Sequence, residues 1–241
     1  MRVGRICALG SRLTRNLLFA LIAVFPAYVD HPAHAEDHRW ESAIRAFEQD
    51  DRETTYHDQA VLFVGSSSIR LWDTLGTDME PYPVIQRGFG GAATADVVRY
   101  ADRLLGDHRP PAVVLFVAND IRGNAETDLT PAAAAELFAS FVGQAHAHSP
   151  DTVLFVVAVT PTASRWSVWP QIRTLNGLLA KLCDATARTV FIPTEDLYLG
   201  DDGRPRDELF RADRLHLNAA GYECWVKRIR SYLDPLLESR E

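Results

Sequence analysis

Four short segments follow one another along the chain: Gly65-Ser66-Ser67-Ser68-Ile69, Gly88-Phe89-Gly90-Gly91, Ala118-Asn119-Asp120 and Asp213-Arg214-Leu215-His216. Between them they hold a hydroxyl nucleophile, a His to take its proton and a carboxylate to orient that His. They also hold glycines and an Asn that can offer N–H groups to an oxyanion. These are the parts that acyl transfer through serine requires. Asp213 and His216 are three residues apart in a loop, so the carboxylate can reach one ring nitrogen and leave the other for the nucleophile. Each segment has a plainer reading when taken alone. A run of Ser caps helices, Asp and His favour exposed loops, and Gly or Asn-Asp after a strand makes turns. The set in this order is far more specific than any member.

These residues need a scaffold. Ala60-Val61-Leu62-Phe63-Val64 is an unbroken apolar run ending at Gly65, the pattern of a strand buried on both faces. Further strands are expected at Pro83-Val84-Ile85-Gln86, Ala112 to Val117, Thr152 to Val159 and Thr189 to Ile192, the last stopped by Pro193. Helices are expected over Trp40 to Asp51, 94–105, 131–147, 171–186 and 219–238. Thr130-Pro131 reads as an N-cap followed by Pro in the first turn, and Asn218 caps the last helix. The alternation predicts an α/β fold: a three-layer α/β/α sandwich on a sheet of about five parallel strands with right-handed crossovers. Such sheets bind ligands beyond the carboxyl ends of their strands. Ser67, Gly91 and Asn119 would all emerge there, after strands one, two and three.

The N-terminus is different in kind. Arg2, Arg5, Arg12 and Arg15 precede the apolar stretch Leu17 to Phe25, and Ala33-His34-Ala35 has the small-x-small pattern of a cleavage site. Residues 1–35 are therefore expected to be a signal peptide cleaved after Ala35, leaving 36–241 as one exported domain, periplasmic or secreted. The competing reading is an uncleaved anchor, which the short apolar core and Pro26 disfavour. Without a leader no stable membrane insertion is expected. Losing residues 1–35, a net +3, takes the formal charge from −7 to −10. A chain so acidic is a poor partner for nucleic acid, which is bound through positive patches. Cys183 and Cys224 would remain, free to form a bridge or to stay as thiols. His146 and His148, and His31, His34 and His38, lack ligand partners at metal spacing, so no metal site is expected.

On its four blocks the chain resembles the SGNH hydrolases, also called GDSL-type esterases and lipases. Their Gly-Asp-Ser-Ile/Leu block aligns on Gly65-Ser66-Ser67-Ser68 and puts the family's nucleophile at Ser67. The glycine of the second block falls on Gly91 and the Asn of the third on Asn119. Asp-x-x-His is matched by Asp213 and His216, and His216-Leu217-Asn218-Ala219-Ala220-Gly221-Tyr222 is close to the family's wording. Ser66 departs from the usual Asp and resembles a subgroup with Gly-Ser-Ser-Ser-Ile-Arg. Gln86 and Val117-Ala118 are further departures, and none removes a catalytic group. The resemblance implies a flavodoxin-like sheet and an acyl-enzyme mechanism. It implies catalytic Ser67, Asp213 and His216, with an oxyanion hole of the Ser67 N–H, Gly91 and Asn119, and neither metal nor other cofactor.

The substrate is less legible. A small-molecule, glycan or lipid ester fits the family, with acetyl or short-chain groups the narrower expectation. Arg165, Trp166 and Trp169 follow the fourth strand and are candidate substrate contacts, the Trp for stacking and the Arg for an acidic group. The same residues could simply pack or be solvated. Two other functions stay open: a noncatalytic glycan- or lipid-binding protein on the same fold, and an acyltransferase. The sequence says nothing of oligomeric state.

Overall fold

The computed structural model describes residues 39–238; the expected leader and its cleavage site lie outside them. In chain order the elements are α1 (Glu41–Glu53), β1 (Val61–Gly65), α2 (Ser67–Arg70), α3 (Leu75–Asp78), β2 (Val84–Gly88), α4 (Thr94–Arg99) and α5 (Ala101–Leu105). Then come β3 (Ala112–Phe116), α6 (Pro131–His148), β4 (Val153–Val157), α7 (Trp169–Ala185), β5 (Thr189–Ile192), α8 (Glu195–Tyr198) and α9 (Ala219–Glu238). All five strands are parallel, in the order β2-β1-β3-β4-β5. This is the three-layer arrangement that the alternation predicts and the flavodoxin-like sheet that the resemblance implies. The single helix expected over 94–105 is two pieces, divided where Tyr100 takes φ −97°, ψ 10°. That break is tertiary in origin: Tyr100 is buried edge-on against Phe89.

Side chains alternate across a strand, so each strand feeds two cores. Leu62, Val64, Val113, Leu115, Leu154 and Val156 pack under α1 and α4 to α7. Val61, Phe63, Val114, Phe116, Phe155 and Val157 face α2, α3, α8 and α9. β1, β3 and β4 are buried at every position, which is why they read as continuous apolar runs. Cys183 lies in the first core and Cys224 beside the second. The sheet separates them, and both are free thiols.

The register decides where the site forms. Gly65 at the end of β1 is level with Gly88 on one side and Phe116 on the other. The Ser, Gly and Asn segments therefore leave the sheet at one height. Beneath them Trp72 stacks on Tyr222 at 5.1 Å and Phe116 meets Trp225 edge-on at 4.6 Å. Aromatic pairs of this kind add about 0.5–1.5 kcal/mol each beyond the area they bury. They clamp α9, which follows His216, onto the turn that carries Ser67.

Candidate active site

Gly65 has no side chain because there is no space for one: a Cβ there would lie 2.0 Å from the Phe116 carbonyl oxygen. The sequence suggested a turn requirement, but close approach to β3 is the cause. The contact lets Ser66 N–H donate to Phe116 O (3.1 Å) as the chain leaves the strand. Of the three serines, Ser66 and Ser68 are buried and only Ser67 is partly exposed. Gln86, a departure from the family pattern, donates from Nε2 to Ile69 O (2.6 Å) and Trp72 O (3.2 Å) and pins α2 from β2. Tyr222 Oη donates to Ser68 O (2.8 Å) from the other side.

His216 comes from the loop before α9. Its Nε2 lies 2.9 Å from Ser67 Oγ and its Nδ1 lies 2.7 Å from Asp213 Oδ2. A carboxylate only accepts, so Nδ1 carries the proton and the Nε2 lone pair faces the serine. Asp213 Oδ1 accepts the backbone N–H groups of Leu215 and His216, both at 2.9 Å. Burial raises the pKa of this carboxyl, but the His216 side chain and those two N–H groups outweigh it and hold it at about 2. A pKa below the ordinary 3.8 makes Asp213 stabilising above that value, and the contribution is lost as pH falls through about 2. It is a small contribution because the group is exposed.

The wording of the last block has local causes. Asn218 Nδ2 donates to Glu208 O (2.8 Å) and Phe210 O (3.1 Å), and its Oδ1 caps α9 by accepting Gly221 N–H at 3.1 Å. A Cβ on Gly221 would meet Leu209 O at 2.3 Å. Arg214 sits at φ +55° to close the turn that brings Asp213 back to His216.

Asn119 and Gly91 line the same cleft as Ser67. Asn119 Nδ2 donates to Ala92 O (2.8 Å), while Asp120 accepts both Thr94 N–H (2.9 Å) and Thr94 Oγ1 (2.6 Å). The glycine loop, with Gly91 at φ +82°, is thereby braced against the end of β3. Asp120 is deeply buried, and burial pushes its pKa up against the pull of the Thr94 bonds.

The loop after β4 forms a short 3₁₀ helix, Ala163–Val168, and this changes the expected roles there. Arg165 is only 8% exposed; its Nη2 donates to Asn119 Oδ1 (2.7 Å) and its Nη1 to Ala118 O. Burial, then the nearby Arg122, lowers its pKa to about 10, so it stays charged at neutral pH. A guanidinium only donates, so it fixes the Asn119 amide with oxygen toward Arg165 and nitrogen toward Ala92 O. Trp169 is buried in the core under α7, and Trp166 stacks on it at 6.1 Å with Arg204 over its outer face. Neither Trp lines the space at Ser67, because the 3₁₀ turn directs both rings back onto the domain.

Two spaces adjoin Ser67. One is a recess of about 20 Å³ whose wall includes Ser67, Asn119, Thr160, Thr162, His216 and Trp225. The other is an open cleft of about 630 Å³ lined in part by Trp40, Arg70, Gly91, Arg122 and His216. Trp40, at the start of α1, stands at the cleft with its ring edge-on to Phe89 at 5.7 Å. No periodicity signal reveals that placement, because it depends on where α1 docks. Among the described residues no three His, Cys, Asp or Glu group as metal ligands, and no helix is long and apolar enough to cross a membrane.

A parallel 2-1-3-4-5 sheet with a Ser, a His and an Asp in hydrogen-bonded sequence beyond its carboxyl edge defines a hydrolase of the flavodoxin-like α/β class. Within it, the chain belongs to the GDSL-like lipase/acylhydrolase family, whose model matches residues 64–224. Membership makes it an ester hydrolase of the acylhydrolase kind. No curated protein matches it in sequence. Among solved structures it is similar to a protein of Streptococcus pneumonia provisionally named for platelet activating factor (19% identity, 80% of this chain and 92% of that one, TM-score 0.70). A provisionally named acylhydrolase from Bacteroides fragilis is also similar (20%, 82% and 98%, 0.69). So is a carbohydrate esterase of family 3 from Talaromyces cellulolyticus (16%, 75% and 98%, 0.57). At these identities the likeness is one of fold.

Proposed function

We propose that the protein is an exported serine esterase that hydrolyses acetyl or other short-chain O-acyl esters. The observation that carries this reading is the run Ser67 Oγ–His216 Nε2 at 2.9 Å and His216 Nδ1–Asp213 at 2.7 Å, built on the one accessible serine of three. Ser67 attacks the ester carbonyl while His216 takes its proton, and Asp213 stabilises the imidazolium. The oxyanion is held by the Ser67 N–H, the Gly91 N–H and the second N–H of Asn119 Nδ2. His216 then protonates the departing alcohol, leaving an acyl group on Ser67. Water attacks that acyl carbon with His216 again as base, releasing the acid and restoring Ser67.

The recess supports a short acyl group. At about 20 Å³ it admits about one water-sized group. Thr160, Thr162 and Trp225 line it, and their Oγ1 and Nε1 atoms are buried with no hydrogen-bond partner among the described residues. A long alkyl chain would be too large for it. Export rests on the N-terminal pattern of residues 1–35, and the block Gly65 to Arg70 fits the Gly-Ser-Ser-Ser-Ile-Arg subgroup. The carbohydrate esterase named above makes an acetylated glycan one concrete substrate to try.

The test is turnover of 4-nitrophenyl acetate and butyrate, with acetate expected to be the faster. A folded protein that cleaves neither, nor an acetylated glycan, would favour a binding role; product that appears only with an added acceptor alcohol would indicate a transferase. On the acid side, log kcat/KM is expected to fall with a slope of about one. Asp213 stays ionised down to about pH 2, so its protonation contributes nothing to the loss above that pH. A second proton entering above that range would contradict this assignment.

Arg165 is a positioning residue in the same scheme. Arg165→Met is expected to lower kcat by about 10–100-fold with little change in KM, a fraction of the ~10²–10³ that a whole oxyanion donor is worth. Arg165→Lys should recover only part, since it keeps the charge and loses the fork. A kcat unchanged in folded Arg165→Met would remove Arg165 from the scheme.

A further inference from the structure

The chain carries a net charge of −7, yet its open cleft is lined by four arginines and by neither Asp nor Glu. Arg165 is engaged with Asn119 and Ala118, as described. The other three, Arg39, Arg70 and Arg122, are exposed and in no ion pair with a carboxylate of the described residues. Their placement is specific. The Arg70 guanidinium lies over Gly90, with Nε 2.7 Å from where a Cβ would be, and Arg39 Nη2 lies 3.5 Å from the equivalent point on Gly91. A side chain at Gly90 would push the Arg70 guanidinium away, whereas a Cβ at Gly91 would only come into contact with Arg39. Arg39 is held over the Trp40 ring at 4.4 Å, and Arg122 Nη2 donates to Thr127 Oγ1 at 3.1 Å. Three carboxylates near cleft residues in sequence have partners of their own: Asp120 with Thr94, Asp128 with the backbone N–H groups of Arg122, Gly123 and Asn124, and Asp213 with His216. A cleft with one sign of charge concentrates ligands of the other, and guanidinium forks suit carboxylate and phosphate oxygens.

We propose that the alcohol portion of the ester cleaved at Ser67 is anionic, its carboxylate or phosphate held in the cleft by Arg39, Arg70 and Arg122. The inference rests on the esterase reading and adds a substrate class to it: a small acyl group in the recess, attached to a negatively charged alcohol in the cleft.

Three acetyl esters with similar leaving groups test this: phenyl acetate, 3-acetoxybenzoate and 3-acetoxyphenyl phosphate, each rate divided by that of its hydroxide-catalysed hydrolysis. At low ionic strength kcat/KM for one or both anionic esters is expected to exceed phenyl acetate by about tenfold or more, and salt should shrink the advantage. Which anion leads separates a carboxylate from a phosphate source. In the Arg70→Ala/Arg122→Ala double variant the ratio should collapse toward that of the neutral ester, and the corresponding double Lys variant should keep part of it. A ratio near one in the wild type, or one that survives the double Ala change in a folded protein, overturns the proposal. If no ester is cleaved, the esterase reading has failed on its own account. The anion site is then read by calorimetry of Ser67→Ala with 3-hydroxybenzoate and 3-hydroxyphenyl phosphate: binding that needs Arg70 and Arg122 upholds it, and no binding overturns it.

Discussion

Ser67→Ala is expected to lower kcat/KM for 4-nitrophenyl acetate by at least about 10⁴-fold, the scale on which loss of a serine nucleophile acts. No neighbour can substitute. Ser66 is 1% exposed and Ser68 9%, and the hydroxyl paired with His216 Nε2 is that of Ser67. Ser66→Ala and Ser68→Ala are therefore expected to stay within about tenfold of wild type, because neither hydroxyl is the one paired with His216 and a typical single substitution costs about 1 kcal/mol. The residual activity of Ser67→Ala should still exceed the water rate, because the Gly91 and Asn119 donors persist. Stopped-flow measurement with mass analysis of the trapped acyl-enzyme would check both the rate and the site. An acyl group found on Ser66 or Ser68, or a Ser67→Ala enzyme as fast as wild type, would overturn the assignment of the nucleophile.

The parts of this molecule that were legible in its sequence are those governed by local pattern. β1, β3 and β4 are apolar throughout because both faces are covered, so a continuous run is itself the signal. Once the strands are placed, a parallel sheet forces Ser67, Gly91 and Asn119 to one edge. His216 and Asp213 are close because three residues in a turn cannot separate them far. The remainder depends on tertiary placement. Arg165 follows a strand in a polar stretch and reads as a contact for an acidic substrate group or as a solvated cation. Its burial becomes intelligible only when Ala118 O and Asn119 Oδ1 are found waiting for its donors. The 3₁₀ turn that buries Arg165 also turns Trp166 and Trp169 inward, and six residues of 3₁₀ helix have no period to read. Arg39, Trp40, Arg70 and Arg122 come from three separated segments, and only the docking of α1 over the glycine loop puts them around one cleft.

Gly65→Ala is expected to be the most damaging single-methyl change outside the catalytic groups. The added Cβ would sit 2.0 Å from Phe116 O and 2.9 Å from Ile69 Cγ1. The first of these atoms is backbone in a central strand, and it already accepts the Ser66 N–H. Relief requires β1 and β3 to part at the rung where Gly65 pairs with Gly88 and Phe116, and that movement would carry Ser67 away from His216. A loss above about 4 kcal/mol is expected, a large share of the ~5–15 kcal/mol by which domains are stable. For a domain of this size that corresponds to a fall of roughly 10 °C or more in Tm. The control is Gly143→Ala in α6, where a Cβ would meet nothing within 4 Å. There the same methyl should stabilise by about 0.5–1 kcal/mol, because helix interiors favour Ala over Gly. Thermal melts of the two variants beside wild type therefore carry opposite expected signs. If Gly65→Ala melted with the wild type and kept its esterase activity, close approach to β3 could not be the reason that glycine stands before the serines.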